Sequence, residues 1–384
     1  MGPRILVLNA GSSTLKASVV EVLGAARQPG PPLAAVTIGL GDDASRGSGM
    51  EPAFAAALDR LGEAGVRPDD VAAIAHRVVH GGATYTSPTV VDDAVLAGID
   101  ALAPLAPLHD PVAAAAIRAA RVRLPGLPNV AVFDTAFHAT LPESARRYPV
   151  PAVWAAWGVR RYGFHGLSVA WSVERAGRLL ERPTAGLGLV VAHLGNGCSV
   201  TAIAGGRSVA TSMGMTPLEG LMMGTRSGSI DPGILLAVLR DRRLTVEELA
   251  ETLDHGSGLL GVSGSSADMR ALQAAADAGD TAAALAIEMF VARAAAGIAA
   301  AATALRRLDA VVFTAGIGEG AGRVRAAIVD RLAVLDVAPI GPDEDGTDRI
   351  LGGGGGPPVV IRIEAREDIV AARAAVDVLA GRRG

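Results

Sequence analysis

Lys16 is the single lysine among 35 cationic residues, and it closes the run Ile5-Leu-Val-Leu-Asn-Ala-Gly-Ser-Ser-Thr-Leu-Lys16, an apolar strand that breaks into a turn of small residues. Lysine and arginine differ as phosphate ligands in shape and hydration, so a chain that uses arginine at every other cationic position gives its one lysine weight. Asparagine is nearly as scarce, at 9, 129 and 196 only, and two of these three lie in glycine- or serine-rich turns after strands. Three such turns, Asn9 to Ser13, Gly195 to Gly197 and Gly316 to Gly320, can offer backbone N–H groups to phosphate oxygens. None has the P-loop spacing. Gly316-Ile-Gly-Glu-Gly-Ala-Gly322 comes nearest to a dinucleotide fingerprint but lacks a well-placed acid to hold a ribose, which makes a nicotinamide enzyme the weakest reading.

Other residues could carry charge chemistry. His76-Arg77-Val-Val-His80-Gly-Gly82 is a basic cluster at a strand end, and Arg77 suits a bidentate grip on a carboxylate or phosphate. His76 and His80, four apart, would be a zinc pair only on a helix. Asp134 follows the apolar run Asn129 to Phe133, at the carboxyl edge of a sheet where α/β folds collect ligands. His165 lies between glycines 163 and 166. Met213 to Pro232 holds four glycines and four methionines around Arg226, which is either a ligand clamp or a structural arginine paired with Glu219 or Asp231. Asp268 is more simply a helix cap than a nucleotide contact, and Glu367 and Asp368 complement a helix dipole as readily as they hold a metal. Cys198, the single cysteine, reads as a small buried residue.

The elements that must position these residues alternate in type. Strands at 4 to 9 and 15 to 22 enclose the first turn as a hairpin. A second hairpin covers 188 to 211, its return marked by Gly205-Gly206. Both have the form apolar strand, polar amide, glycine, next strand, which indicates duplication at nearly half the chain length. Strands are expected at 71 to 75, 129 to 133, 310 to 314 and 359 to 363. Helices are expected at 111 to 121, 233 to 240, 246 to 254, 281 to 307, from 322, and at 367 to 380, with Thr245-Val-Glu-Glu248 a capping box. Gly316 to Gly320 reads as a turn, and Gly352 to Gly356 as a surface loop.

At 384 residues the chain exceeds the ~250 of a usual single core, so two domains are expected. Half of it is apolar, with 19% charged residues and mean hydropathy +0.37. No uncharged run reaches the ~18 to 20 residues of a membrane span. The start lacks the pattern of a secretory signal. One cysteine and a net charge of -4 point away from a disulfide framework and from bulk nucleic-acid binding. A cytoplasmic protein with no membrane or nucleic-acid partner is the expectation.

Taken in order, Leu8 to Lys16, His76 to Gly82, Phe133 to His138, Tyr162 to Gly166, His193 to Gly197, Thr211 to Pro232 and Phe313 to Glu319 resemble the motifs of the acetokinase family over essentially the whole chain. The resemblance implies an α/β fold of two duplicated ribonuclease-H-like domains around a nucleotide cleft: residues 1–150 with the terminal helix 367–384, and residues 151–366. It implies reversible phosphoryl transfer from ATP to acetate, a homodimer, and Mg²⁺, replaceable by Mn²⁺, held by Asn9 and Glu367. Lys16, His193, Leu194, Gly195, Asn196, Gly197, Asp268, Met269, Arg270, Gly316, Ile317, Gly318, Glu319 and Gly320 would meet ATP or ADP. Arg77 and His109 would meet acetate, with Val79, Leu108, Phe164 and Pro217 around its methyl. Asp134, His165 and Arg226 would be catalytic. The chain departs from the family at Thr14, Cys198 and Gly320, in Glu-Ala-Arg before Glu367, and at 40 to 50 and 352 to 356.

Acetate is ionised at neutral pH and needs no general base, so the barrier is the meeting of two anions and cations must carry catalysis. Asp134 is therefore expected to orient Arg77 or the metal rather than to take a proton. The rivals are a propionate or butyrate kinase of the same family, and an ATP-switched binding protein with no acyl acceptor, which would not need Arg77 and Arg226 beside an apolar pocket.

Overall fold

The computed structural model describes every residue except 1, 12, 25–29, 41–48, 344–345, 354–355, 357 and 382–384. Ser12 of the first turn, and parts of the segments at 40 to 50 and 352 to 356, thus lie outside the described residues. The chain forms two compact units, one of Met1–Ala139, Phe164–Leu167 and Arg366–Gly384, the other of Thr140–Gly163 and Ser168–Ala365.

The first unit is built on strands β1 (Arg4–Ala10), β2 (Thr14–Glu21), β3 (Ala34–Gly39), β4 (Ala73–Val78), β5 (Thr89–Val90) and β6 (Asn129–Phe133), in spatial order β3-β2-β1-β4-β6-β5. Ile5 to Leu8 and all of β6 are buried, as expected of central strands covered on both faces. Helices Met50–Glu63 and Asp110–Arg123 share a core with β1 and β2, and helix Glu367–Gly381 packs on β1, β2, β4 and β6. Register matters most for function. Asn9 pairs with Lys16 on one side and with Arg77 on the other, and directly paired residues share a face, so three polar residues line up across three strands.

The second unit repeats this plan. Strands β7 (Gly188–Leu194), β8 (Cys198–Ala204), β9 (Arg207–Thr211), β10 (Ala310–Thr314), β11 (Arg349–Gly352) and β12 (Val359–Arg362) lie in the order β11-β12-β10-β7-β8-β9. Each sheet has an antiparallel three-stranded meander, two further parallel strands, and an antiparallel edge strand that precedes its neighbour in the chain. Duplication thus reaches every strand, beyond the two hairpins legible in sequence.

Three elements differ from expectation. The strand expected at 71 to 75 is β4, Ala73–Val78, which puts Arg77 inside the sheet rather than after it. The long helix Thr281–Ala302 ends five residues before 307, where Thr303, Ala304 and Leu305 bond to carbonyls three residues back and tighten the last turn. Its length and hydropathy suit a membrane span, but it carries Glu288 and Arg293, it packs on β7 and β8 and on neighbouring helices, and Ala283, Ala286, Phe290, Ala294 and Ile298 are buried. Finally, Ala315–Gly320 is a short helix, not a turn. Buried Arg325, from helix Gly322–Asp330, donates to the carbonyls of Gly318 at 3.0 Å and Glu319 at 2.6 Å, satisfying the end of a helix whose glycines would not hold it alone.

Candidate active site

In the first unit the sheet and the terminal helix Glu367–Gly381 bring four expected residues into direct contact. Arg77 donates from Nε to both Asp134 oxygens at 3.1 and 3.2 Å and from Nη2 to Oδ2 at 2.5 Å. Its Nη1 donates to Asn9 Oδ1 at 3.1 Å, and Glu367 Oε2 lies 3.4 Å from Nε. Asn9 Nδ2 donates to Glu367 at 3.5 Å. Burial opposes the charge on Arg77, but Asp134 and Glu367 outweigh it and hold the guanidinium above its usual range. Lys16 stands exposed on the neighbouring strand, beside Asn9. Val79 and Phe164 are buried, while Leu108 and His109 are half-buried where helix Asp110–Arg123 begins.

His165 takes a left-handed backbone, φ 59°, a conformation that costs a non-glycine residue energy and is tolerated where the surroundings demand it. The demand comes from Gly166, where a Cβ would stand 2.0 Å from the Asp134 carbonyl oxygen, so only glycine lets the two backbones meet. That contact fixes His165 against the Asp134 segment.

In the second unit the nucleotide candidates converge without any long glycine loop. His193 is the penultimate residue of β7, with Nδ1 2.9 Å from Ser168 Oγ, and Gly195, Asn196 and Gly197 form the hairpin tip before β8. Gly224 N–H donates to the Asn196 carbonyl at 3.0 Å. A Cβ on Gly224 would lie 2.2 Å from Asn196 Oδ1 and 3.5 Å from Ala267, and one on Gly195 would lie 3.9 Å from the Gly316 nitrogen. The hairpin tip, the Arg226 loop, the residue before Asp268 and the helix at Gly316 are thus immediate neighbours.

Several side chains are committed elsewhere. Asp268 caps helix Met269–Asp277 and pairs with exposed Arg270. Leu194 and Met269 are buried, which leaves their backbones to meet a ligand. Glu319 accepts from Ala365 N–H at 2.9 Å, and burial pushes its carboxyl up. Ile317 is half-buried, while Gly316 and Gly320 face open space.

Arg226 does not pair with Glu219 or Asp231. It donates to the Pro217 carbonyl at 3.2 Å, its ion-pair carboxylate is Asp254 at 3.9 Å, and burial lowers its pKa. Glu219 instead joins Arg161 at 2.7 Å and the Tyr148 hydroxyl, and Asp231 caps helix Pro232–Arg240. Arg161 also donates to the carbonyls of Ser212 and Met213, so it and Tyr148 brace the loop that carries Pro217 and Arg226. Neither was legible beforehand, because their partners are some 50 to 70 residues away in the chain. Cys198 is buried as expected, and its thiol, pushed up to about 12, donates to the Gly195 carbonyl under the hairpin tip.

Three buried groups give a pH-dependent stability. Burial holds His76 and His138 at about 4, against hydrogen bonds to Asn129 and the Phe164 carbonyl, and pushes Asp110 up to about 8 against the N–H groups it accepts. Between about pH 4 and 6.5 the unfolded chain binds protons on both histidines that the fold refuses, while the fold keeps one on Asp110. Among these three groups the net difference is one proton, so together they raise stability with pH by about 1.4 kcal/mol per unit. Above 6.5 the two histidines no longer differ, and Asp110 lowers stability as pH approaches 8. Urea unfolding at pH 5.5, 6.5 and 7.5 should peak at the middle value, and Asp110→Asn should remove the fall at 7.5; a variant that still declines there would exclude Asp110 as the cause.

The model of the acetokinase family matches residues 4–373. An acetate kinase from Deinococcus deserti is 44% identical over 396 aligned residues, covering 99% of this chain and 98% of that protein. Another from Deinococcus radiodurans is 45% identical, covering 98% of each. Among solved structures, an acetate kinase from Porphyromonas gingivalis superposes with TM-score 0.86 at 30% identity, covering 98% of this chain and all of that one. A propionate kinase from Francisella tularensis gives 0.85 at 35% identity, covering 97% and 98%. With its seven motifs on a duplicated α/β frame, this chain belongs to the acetokinase family.

Proposed function

We propose that the chain is an acetate kinase, a phosphotransferase with a carboxyl acceptor that moves the γ-phosphoryl of ATP in line onto an acetate oxygen, giving acetyl phosphate and ADP, and reverses the reaction. The observation that carries this reading is Arg77, a cation set in a sheet by Asp134 and Asn9 and followed two residues later by Val79. An ATP switch without an acyl acceptor has no use for it. Full-length acetate kinase relatives support the same reading.

In this proposal Arg77 and His109 hold the acetate carboxylate, and Val79, Leu108, Phe164 and Pro217 meet its methyl group. Arg226 and His165 neutralise the transferring phosphoryl, whose charge spreads over its equatorial oxygens in the transition state. Asp134 orients Arg77: it is fully buried and its oxygens accept from the guanidinium, which suits positioning rather than proton abstraction from an acid already ionised. Lys16 meets the nucleotide phosphates, and the residues from His193 to Gly197, Asp268 to Arg270 and Gly316 to Gly320 hold the nucleotide, chiefly through backbone groups. Asn9 and Glu367 present an amide and a carboxylate oxygen, hard donors that suit a Mg²⁺ keeping part of its water. Among the described residues no group of three or more His, Cys, Asp or Glu side chains is placed to hold a metal ion. When bound, the ion would neutralise phosphate charge. We read the unit of Met1–Ala139, Phe164–Leu167 and Arg366–Gly384 as the acyl domain and that of Thr140–Gly163 and Ser168–Ala365 as the nucleotide domain, of a cytoplasmic homodimer.

Hydroxylamine trapping tests this. Purified protein with MgATP and acetate, propionate or butyrate should yield acyl hydroxamate, most from acetate. Hydroxamate from no acid, with nucleotide still bound, would leave the ATP-switch reading standing. A clear preference for propionate would favour the second reading, which the Francisella relative motivates. One methylene in an apolar pocket is worth about 1 to 3 kcal/mol, so some activity on both acids is expected.

A further inference from the structure

The chain leaves β4 at Val78 and must turn at once, and that turn is tied down at each step. The N–H of the peptide that links Val79 to His80 donates to Asp110 Oδ1 at 3.1 Å. Gly82 N–H donates to His80 Nδ1 at 2.9 Å, which puts the ring proton on Nε2 and fixes the ring plane. That ring meets Phe164 edge-on, with centroids 5.4 Å apart at 71°. From the other side, His138 Nε2–H donates to the Phe164 carbonyl at 2.9 Å. Asp110 itself opens the helix that follows Leu108 and His109.

Asp110 and His80 are both 0% exposed, and Asp110 Oδ2 is sealed from water with no hydrogen-bond partner among the described residues. A carboxyl in such a place costs energy that an apolar residue would avoid. Its raised pKa keeps it uncharged near neutrality, which lowers that cost without removing it. The side chain therefore has a task that a leucine could not perform, and the contacts say what it is: Asp110 joins the segments that carry Val79 and Leu108, and the His80 ring adds Phe164, the third acyl contact of this unit.

We propose that Asp110 and His80 are positioning residues that set the acyl chain length accepted by the site, Asp110 by holding the backbone at Val79 and His80 by holding the ring of Phe164. The inference rests on the acetate kinase reading. A well-packed wall rejects one extra methylene only while it cannot yield, because interiors at crystal-like density leave no slack. Loosening either tether lets the wall move, and the larger acid gains relative to the smaller.

The test measures kcat/KM for acetate, propionate and butyrate by hydroxamate trapping, in wild type, Asp110→Ala, Asp110→Asn and His80→Asn. Asparagine at 110 keeps the acceptor for the backbone N–H, and asparagine at 80 keeps the acceptor for Gly82 while removing the ring against Phe164. Asp110→Ala and His80→Asn should each raise the propionate-to-acetate ratio by about fivefold or more, within the range a methylene commands. Asp110→Asn should stay within about twofold of wild type, since it restores the lost hydrogen bond. Ratios unchanged in Asp110→Ala and His80→Asn, with overall activity reduced, would make the pair a structural brace only and overturn the proposal. Equal shifts in Asp110→Ala and Asp110→Asn would overturn the part played by the Asp110 acceptor. If Asp110→Ala does not fold, His80→Asn decides alone. Wild type inactive on every acid would instead defeat the acetate kinase reading, a result distinct from either.

Discussion

Arg77→Ala is expected to lower the turnover of acetyl phosphate formation by about 10³ to 10⁵, the scale on which a charge clamp acts in phosphoryl transfer. The same change should cost stability. Asp134 is 0% exposed and Arg77 only 18%, so removing the cation leaves a carboxylate sealed in the protein with its bidentate partner gone. Breaking such a pair costs about 3 to 5 kcal/mol, far more than a surface ion pair. Asn9 and Glu367 cannot compensate, because one offers an amide and the other a second negative charge. A double variant, Arg77→Met with Asp134→Leu, should recover most of the lost stability while remaining inactive, since it removes both buried charges together. Urea unfolding and hydroxamate assay on the same preparations check both halves. Near-normal turnover in Arg77→Ala would remove Arg77 from the site; a double variant as unstable as the single would show that the pair is held by more than its charges.

Arg226→Ala should show the opposite balance. Its side chain is only 12% exposed and its carboxylate partner Asp254 stands at 3.9 Å, so the cation is poorly compensated where it lies. Burial depresses its pKa and raises that of Asp254, which means each would rather be in water. Deleting it should change stability by about 0.5 kcal/mol or less in the unfavourable direction, and can stabilise, as happens where a site keeps a strained charge for function. Turnover should fall by about 10³, because a guanidinium held partly dry by the Pro217 carbonyl is prepared for an anion the rest of the loop does not supply. Arg226→Lys should restore charge but not the planar fork, and recover only part of the loss. A stability loss as large as that of Arg77→Ala would mean that Arg226 is structural, and retained turnover would place the phosphoryl clamp elsewhere.

These two arginines looked alike in sequence: each stands near glycines with carboxylates nearby in the chain. Local spacing offered Glu219 and Asp231 as partners for Arg226, and the fold used both for other work, one against Arg161 and Tyr148, the other as a helix cap. Arg77 found Asp134 57 residues away and Glu367 at the far end of the chain. Partners at that distance are chosen by sheet register and by the packing of the terminal helix on the sheet, which no window of sequence contains. The Gly316 to Gly320 segment carried a related ambiguity. Its composition speaks for a turn, and a single buried guanidinium from the next helix made it helical.

Patterns that depend only on neighbouring residues were readable from the chain: the two amide-and-glycine hairpins, the capping box at Thr245, the apolar central strands, and seven ordered motifs that mark the family. From these came the α/β duplication and the residues proposed to bear the chemistry. Which of those residues touch, which carboxylate is buried against which cation, and which acid is kept neutral became definite only when β1, β4 and β6 paired and the Arg226 loop closed on the hairpin tip. The reason is physical: periodicity and turn chemistry act over a few residues, whereas desolvation and ion pairing depend on what the folded chain places within about 4 Å.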